Sequence, residues 1–160
     1  MEAFSGSMFR SHVGSMFEDE DSQVWDDDVL PAYSKFTGIF AFLKGYRREA
    51  FEDAESRGWP VVRSGFLIFE DEEVWEEDFI RNHFMFGNDF LVAPVMEEGA
   101  TSKSVYFPKC GQERGAWVNV WSQEKFDCGT AASVPSEIGQ PPVFYLEDSE
   151  WGAKLHDFVK

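Results

Sequence analysis

The stretch Met85-Phe86-Gly87-Asn88-Asp89-Phe90-Leu91-Val92-Ala93-Pro94-Val95 marks a change of pattern in the chain. Its centre, Gly87-Asn88-Asp89, is typical of a turn, because glycine and asparagine tolerate backbone conformations that other residues avoid. Apolar residues stand on both sides of this turn. We therefore predict a domain boundary here, with a first domain at residues 1–86 and a second domain at residues 87–160.

The second part consists of short apolar runs between turn residues. Runs of this length and spacing favour strands over helices, and several of them in succession favour a small antiparallel β-sandwich. The predicted strands are Phe90–Val95, Ser104–Phe107, Ala116–Trp121 and Pro142–Leu146.

The first part has a helical pattern followed by a strand pattern. From Pro31 to Arg57, apolar residues recur every three or four positions, which predicts one amphipathic helix. Gly58 and Pro60 form a stop signal, because glycine accepts the left-handed conformation and proline does not continue a helix. The following residues, Pro60–Phe69, are mostly β-branched or aromatic and predict a buried strand.

The composition predicts a globular protein that does not bind nucleic acid. Among 160 residues there are 14 basic and 30 acidic side chains, so the formal net charge is −16. A nucleic-acid partner requires clustered Lys and Arg, and an anionic membrane surface has the same requirement. The chain is 43% apolar and 17% aromatic, which is ample material for a buried core. We therefore expect neither a nucleic-acid nor a membrane partner.

The pair Arg10 and His12 is a candidate for polar-ligand binding. In an extended segment, residues two positions apart point to the same face, so a cation and an imidazole could converge on one ligand. On spacing alone, a loop arginine paired with a nearby acid such as Glu18 or Asp19, beside a partly exposed histidine, explains the pattern better. His83 lies among Phe79, Phe84 and Phe86, which predicts a residue of the core or of a helix edge.

We find no motif that predicts a metal or a cofactor. The acidic runs Glu18–Asp21 and Asp26–Asp28 lack the alternation, central glycine and final glutamate of a calcium loop, so we interpret them as solvated surface. The chain has no Gly-x-Ser-x-Gly, no phosphate-binding glycine loop and no His-Glu-x-x-His. Cys110 and Cys128 are compatible with either one disulfide bond or two free thiols. Met1–Phe17 lacks the pattern of a secretory signal, and the compartment stays open.

Several strings of the sequence resemble glycoside hydrolase family 31, in the order that the family has them. The string Phe9-Arg10-Ser11-His12 resembles the segment after the family's acid/base region, and Gly58–Leu67 resembles its eighth barrel strand. Met85–Val95 resembles the signature that opens its C-terminal β-sandwich. The strings that resemble later sandwich strands are Val105–Pro108 and Trp117–Trp121. Gly139–Tyr145, followed by Ser149-Glu150-Trp151, is most similar to the sulfoquinovosidase group.

This resemblance implies a fold and an activity for the larger protein. Residues 1–86 would be the last βα units of a (β/α)8 barrel, and residues 87–160 would be the β-sandwich packed on it. Family members are retaining α-glycosidases, which use two carboxylates about 5 to 5.5 Å apart. Both are aspartates that precede the Arg-x-His segment in the family, so this chain lacks them. By itself it should be inactive.

The resemblance assigns substrate contacts to Arg10 and His12, with His12 hydrogen-bonding hydroxyls of the sugar ring beside the scissile bond. The expected substrate is a carbohydrate, either an α-glucoside or a sulfoquinovoside, and no cofactor is implied. The alternative is a non-catalytic sugar-binding or interaction module derived from such an enzyme. Ser64-Gly65 and Val13 depart from the family's usual residues.

Overall fold

The computed structural model describes residues 2–7, 26–111 and 114–160. Its helices are α1 (Leu30–Phe42), α2 (Lys44–Arg57), α3 (Glu77–Asn82) and α4 (Glu150–Val159). Its strands are β1 (Val62–Arg63), β2 (Phe84–Phe86), β3 (Phe90–Val92), β4 (Ser102–Phe107), β5 (Trp117–Asn119), β6 (Lys125–Phe126), β7 (Thr130–Pro135) and β8 (Val143–Leu146). Short 3₁₀ turns occur at Glu2–Phe4, Gly65–Leu67 and Glu72–Trp75. None of the helices within these ranges is long and apolar enough to cross a bilayer.

Six strands form one antiparallel sheet in the order β1-β2-β3-β8-β5-β6, and β4 pairs with β7 in a separate two-stranded sheet. The antiparallel arrangement predicted for the second part is therefore confirmed. The large sheet also includes β1 and β2, so it extends across the predicted domain boundary at residue 87. That boundary and the barrel assignment for residues 1–86 stay predictions.

The core consists of two apolar layers, one on each face of the large sheet. Alternate residues of β8 point in opposite directions: Val143 and Tyr145 pack under α1, α2 and α4, while Phe144 and Leu146 pack under the two-stranded sheet. All four of these residues are buried. A strand that is buried on both faces reads as a continuous apolar run, which is why this strand stood out in the sequence.

The predicted helix from Pro31 to Arg57 is two helices that meet at Leu43. Leu43 leaves helical geometry with φ −76° and ψ 10°, and Gly45, a poor helix former, follows it closely. A Cβ atom at Gly45 would lie 2.6 Å from the ring of Trp151 in α4, so the close approach of α4 requires a glycine here. The predicted end of the helix is confirmed, because Gly58 adopts the left-handed conformation with φ 74°.

The strand predicted over Pro60–Phe69 is shorter in the structure. Only Val62–Arg63 pairs with another strand, and the chain then turns at Gly65–Leu67. The turn brings Gly65 so close to Phe79 that a Cβ atom would lie 2.4 Å from its ring. Strands β6 and β7, which the sequence pattern did not predict, complete the two sheets.

Helix α4 covers the large sheet near the end of the chain. Its N-terminus is capped by Ser149, whose side chain accepts a hydrogen bond from the Gly152 amide at 3.0 Å. Gly152 lies directly on Tyr145 of β8, and a Cβ atom there would come within 2.1 Å of the tyrosine side chain. Leu155 of the same helix is fully buried in the layer beneath it.

Candidate functional site

Hydrogen bonds from several elements of the described structure meet at the turn Gly87-Asn88-Asp89, between β2 and β3. The Gly87 amide donates to the Val61 carbonyl at 2.8 Å, and its backbone has φ 60°. A Cβ atom at this position would lie 2.2 Å from the Tyr46 hydroxyl. Only glycine satisfies both constraints, because other residues rarely adopt this φ and their side chains would meet the tyrosine.

Asn88 joins the turn to a buried arginine. The Arg63 guanidinium donates to the Asn88 side-chain carbonyl, to the Pro60 carbonyl at 2.5 Å and to the Asp53 carboxylate at 2.8 Å. The Arg63 side chain is 0% exposed, and a buried charge is stable only when it is paired and hydrogen-bonded in this way. Arg57 binds the second oxygen of Asp53. Burial alone raises the pKa of Asp53, but the hydrogen bonds from Arg63 and Arg57 outweigh it and hold the pKa below its ordinary value.

Asp89 joins the turn to the opposite side of the fold. One of its carboxylate oxygens accepts from Arg114 at 3.1 Å and the other from the Ser149 hydroxyl at 3.0 Å. Arg114 also binds Asp148 at 3.0 Å. The Asp89 backbone carbonyl accepts from the Leu146 amide at 3.1 Å. The turn therefore holds β8 and the start of α4 in place.

Tyr46 of α2 bridges the two ends of the turn. Its hydroxyl donates to the Phe86 carbonyl at 2.8 Å and accepts from the Asp89 amide at 3.1 Å. Burial, reinforced by the negative charge of Asp89, raises the pKa of Tyr46 far above its ordinary value, so the hydroxyl stays protonated at any physiological pH. It is thus a permanent donor.

A polar cleft of about 340 Å³ opens beside the turn, against α2. It is lined by Tyr46, Glu49, Glu52, Asp53, Arg63 and Asn88, among others. General acid catalysis requires a carboxyl group with a raised pKa, whereas the pKa of Asp53 is lowered, and Asp53 is already bound by two arginines. Within residues 2–7, 26–111 and 114–160, no three His, Cys, Asp or Glu side chains are grouped so as to hold a metal ion. The arrangement is suited to joining elements rather than to chemistry on a substrate.

The two predicted substrate residues, Arg10 and His12, lie outside the described residues, as does the acidic run Glu18–Asp21. The run Asp26–Asp28 is described, and two of its residues, Asp27 and Asp28, are exposed. His83 is buried, as predicted. Its ring stacks on Phe79 with centroids 4.6 Å apart, and neither ring nitrogen has a hydrogen-bond partner. Burial and the nearby Lys103 charge lower the pKa of His83 to about 4.

Sequence reasoning did not find the hydrogen-bonded network around residues 87–89. Arg63 stands inside an apolar, strand-like run, and an arginine in such a run indicates a buried partner. No local pattern identifies that partner, because Asp53 lies in the preceding helix and Asn88 lies in a turn further along the chain.

The chain belongs to glycosyl hydrolase family 31. A model described as the glycosyl hydrolase family 31 C-terminal domain matches residues 58–149, which include β1 to β8 and the whole turn network except Tyr46, Asp53 and Arg57.

Relatives of known activity extend the match to nearly the whole chain. A sulfoquinovosidase of Escherichia coli is 36% identical over 146 residues, which are 91% of this chain and 20% of that protein. A sulfoquinovosidase of Agrobacterium fabrum is 34% identical over 149 residues, 93% of this chain and 21% of that protein. The chain thus spans about a fifth of the length of these curated relatives. These similarities agree with the resemblance to the sulfoquinovosidase group.

Two solved structures, one of them a family 31 enzyme, have the same fold. A family 31 sulfoquinovosidase from E. rectale, solved with an aza-sugar inhibitor, superimposes with a TM-score of 0.82 over 98% of this chain and 22% of that chain, at 28% identity. A protein from Listeria monocytogenes superimposes with a TM-score of 0.74 over 90% of this chain and 14% of that chain, at 29% identity.

Proposed function

We propose that this chain is the C-terminal portion of a retaining α-glycosidase that hydrolyses O-glycosyl bonds. The observation that carries the proposal is the family 31 C-terminal match at residues 58–149. In a retaining mechanism, one carboxylate attacks the anomeric carbon and a second protonates the leaving oxygen. Both carboxylates would come from sequence outside this chain. The chain itself would support the active site without performing the chemistry.

The substrate class is an α-glucoside or a sulfoquinovoside. The two relatives with 34% and 36% identity are both sulfoquinovosidases, which favours the sulfoquinovoside. The proposal includes the finer architecture: residues 1–86 would be the last βα units of a (β/α)8 barrel, and residues 87–160 a β-sandwich packed on it. The order of helix α2 followed by strand β1 supports the barrel assignment, whereas the antiparallel pairing of β1 with β2 does not.

Arg10 and His12 would contact the sugar ring. Residues 2–7, which precede them in the sequence, are bound to α2. Arg47 donates from Nε to the Ser5 carbonyl at 2.9 Å and from Nη2 to the Ala3 carbonyl at 3.3 Å, and Phe4 is fully buried. An imidazole offers a donor and an acceptor on one rigid ring, which suits two neighbouring hydroxyl groups.

The first test is an assay of the purified chain with chromogenic aryl α-glucosides and aryl α-sulfoquinovosides. We expect no turnover above the buffer blank, because the nucleophile and the proton donor are both absent. Turnover that survives repurification and is abolished by a point substitution in this chain would contradict the proposal. Tight binding of a sugar by the inactive chain would instead favour a non-catalytic binding module.

The second test is reading the gene upstream of the codon for Met1. Continuous sequence in the same frame that encodes two aspartate motifs supports the enzyme, and a stop codon directly upstream supports the binding module.

The third test is His12→Ala in a complete enzyme that contains this chain. Hydrogen bonds made mainly in the transition state lower the barrier, so kcat and kcat/KM should both fall, by about 10² to 10³. Glu76→Gln, which neutralises an exposed carboxylate, is the matched control and should leave both within about tenfold of the parent. A lowered melting temperature with unchanged kcat/KM per folded His12→Ala molecule would remove the site assignment.

A further inference from the structure

The bond between Cys110 and Cys128 joins two connections between the sheets. Cys110 lies between β4 of the two-stranded sheet and β5 of the large sheet, and Cys128 lies between β6 of the large sheet and β7 of the two-stranded sheet. Their Cα atoms are 5.7 Å apart, just beyond the last pair of the small sheet, Phe107 and Thr130. The disulfide therefore ties both crossovers at one end of the fold.

The loop that leaves Cys110 also carries Arg114. Arg114 reaches Asp89 in the central turn and Asp148 after β8, as described above. The Glu147 amide donates to the Ala116 carbonyl at 2.9 Å in the same loop. The disulfide thus restrains the start of the loop, and polar contacts restrain its end. One of these contacts, from Arg114 to Asp89, joins the loop to the residue 87–89 turn.

We propose that the Cys110–Cys128 disulfide is a redox-sensitive staple that fixes this loop and, through Arg114, the Asp89 turn. A cross-link between residues 18 positions apart removes conformational freedom from the segment that it closes. When the bond is reduced, Pro108 and Lys109 stay bound to Trp117 and Asp71, but the chain after Cys110 loses its covalent restraint and Arg114 is less confined near Asp89.

The reductant is a thiol. A thiolate attacks the sulfur of Cys128, which is partly exposed, whereas Cys110 is 5% exposed. The S–S bond breaks, Cys110 leaves as a thiolate and takes up a proton, and Cys128 is held in a mixed disulfide. A second thiol group breaks the mixed disulfide and releases the Cys128 thiol. Two electrons pass to the protein, and the two reductant thiols become one disulfide.

The first measurement is the state of the two thiols. The chain is purified without a reductant, denatured and alkylated. We expect no alkylated cysteine and one cross-linked peptide pair containing Cys110 and Cys128 from the same chain. Two alkylated thiols, or cross-links only between chains, would overturn the proposal.

The second measurement is residue-resolved hydrogen exchange before and after reduction with dithiothreitol. The Leu146 amide, which donates to Asp89, and the Glu147 amide should exchange about tenfold faster or more after reduction, because the loop then opens more often. The Gly58 amide, which donates to Ala54 in α2 at 2.9 Å, is the internal control and should not change. Unchanged exchange at Leu146 and Glu147 would overturn the proposal.

Two variants separate the staple from a general effect on stability. The double variant Cys110→Ser/Cys128→Ser should exchange like the reduced parent and should not respond to dithiothreitol. Arg114→Ala, which keeps the disulfide, should exchange faster at Leu146 in the oxidised state and should show little further change there on reduction. If reduction accelerates exchange at Leu146 equally in the parent and in Arg114→Ala, the staple does not act through Arg114 and the proposal is wrong.

Discussion

The two layers that pack on the large sheet are held by different interactions. The helical layer is fixed largely by buried polar contacts: Arg63 binds Asp53 and Asn88, and Tyr46 binds the residue 87–89 turn. The layer under the two-stranded sheet has fewer such contacts, chiefly those of Asp71 with Tyr106 and the Lys109 amide, and depends more on aromatic packing. Phe107 lies against Phe144 with ring centroids 4.8 Å apart, in an edge-to-face arrangement.

The two kinds of interaction position the two layers in different ways. Hydrogen bonds are directional, so α2 is set at one angle and one height relative to the turn. Apolar burial is not directional, and the two-stranded sheet depends on shape, on the close fit of rings and on its covalent link to the neighbouring loop. We therefore expect the free energy of unfolding to be most sensitive to lost side-chain volume in the layer under the two-stranded sheet, and to lost polar groups in the helical layer.

The largest expected effect is that of Phe144→Ala. Phe144 is fully buried under the two-stranded sheet, so truncation leaves a cavity and should lower the free energy of unfolding by about 3 to 5 kcal/mol. Urea unfolding followed by tryptophan fluorescence measures this loss. Phe51→Ala is the matched control in the helical layer: Phe51 is 50% exposed, and the same truncation should cost about 1 kcal/mol. Equal losses would contradict the dependence of this cost on burial.

The second effect concerns His83, which stacks on Phe79 in the layer under the two-stranded sheet. Its pKa is lowered to about 4 in the folded chain, from an ordinary 6.5. Between these values the unfolded chain binds a proton that the folded chain does not. The contribution is therefore fully present above pH 6.5, and stability falls as the pH drops from 6.5 to 4, by about 3 kcal/mol in total.

The measurement is the slope of unfolding free energy against pH for the parent and for His83→Gln. Because the remaining groups titrate in both proteins, the difference between the two slopes isolates His83 and should reach about 1.4 kcal/mol per pH unit. Parallel curves between pH 4 and 6.5 would show that His83 does not titrate in this way.

The third effect is that of Arg63→Met in the helical layer. Methionine fills similar space but leaves the Asn88 carbonyl and one Asp53 oxygen without their partner, and we expect a loss of about 2 kcal/mol. Arg57→Met is the matched control, because the Arg57 side chain is 55% exposed and the substitution should cost less than about 1 kcal/mol. An Arg63→Met protein as stable as the control would mean that apolar packing alone positions α2.

The smallest expected effect is that of Tyr46→Phe, which removes only the hydroxyl. The Asp89 amide and the Phe86 carbonyl lose a shared partner, and we expect a loss of about 1 to 2 kcal/mol with the ring packing retained. Thermal unfolding at pH 7 is sufficient to detect it. A stabilised Tyr46→Phe protein would contradict the role of the hydroxyl in fixing the turn.

The sequence predicted most strands with a distinct apolar run, but it missed β2, because Phe84–Phe86 continues the stretch from Phe79 without a turn signal between them. Strands β3, β5 and β8 are continuous apolar runs, and each was predicted from that pattern. Strand β7 is composed mostly of small, exposed residues and has no such run, so its pairing with β4 depends on the partner strand. The need for glycine at position 45 comes from Trp151, more than a hundred residues further along the chain, so the local pattern did not reveal it.

The candidate site was predictable only in part. The turn at residues 87–89 has a local signal in its glycine and asparagine, whereas the bonds from Arg63 to Asp53 and from Arg114 to Asp89 arise from contacts between distant elements. Local patterns do not encode such contacts. The assignment of Arg10 and His12 came from family resemblance and stays a prediction.

The close packing of Gly152 in α4 against Tyr145 in β8 has a consequence for cloning. The family match ends at residue 149, and α4 begins at Glu150. A gene shortened to residues 58–149 would encode all eight strands, yet it would remove α1 and α2 at one end and α4, with its buried Leu155 side chain, at the other. The matched segment and the segment that an expression plasmid must encode therefore differ by three helices.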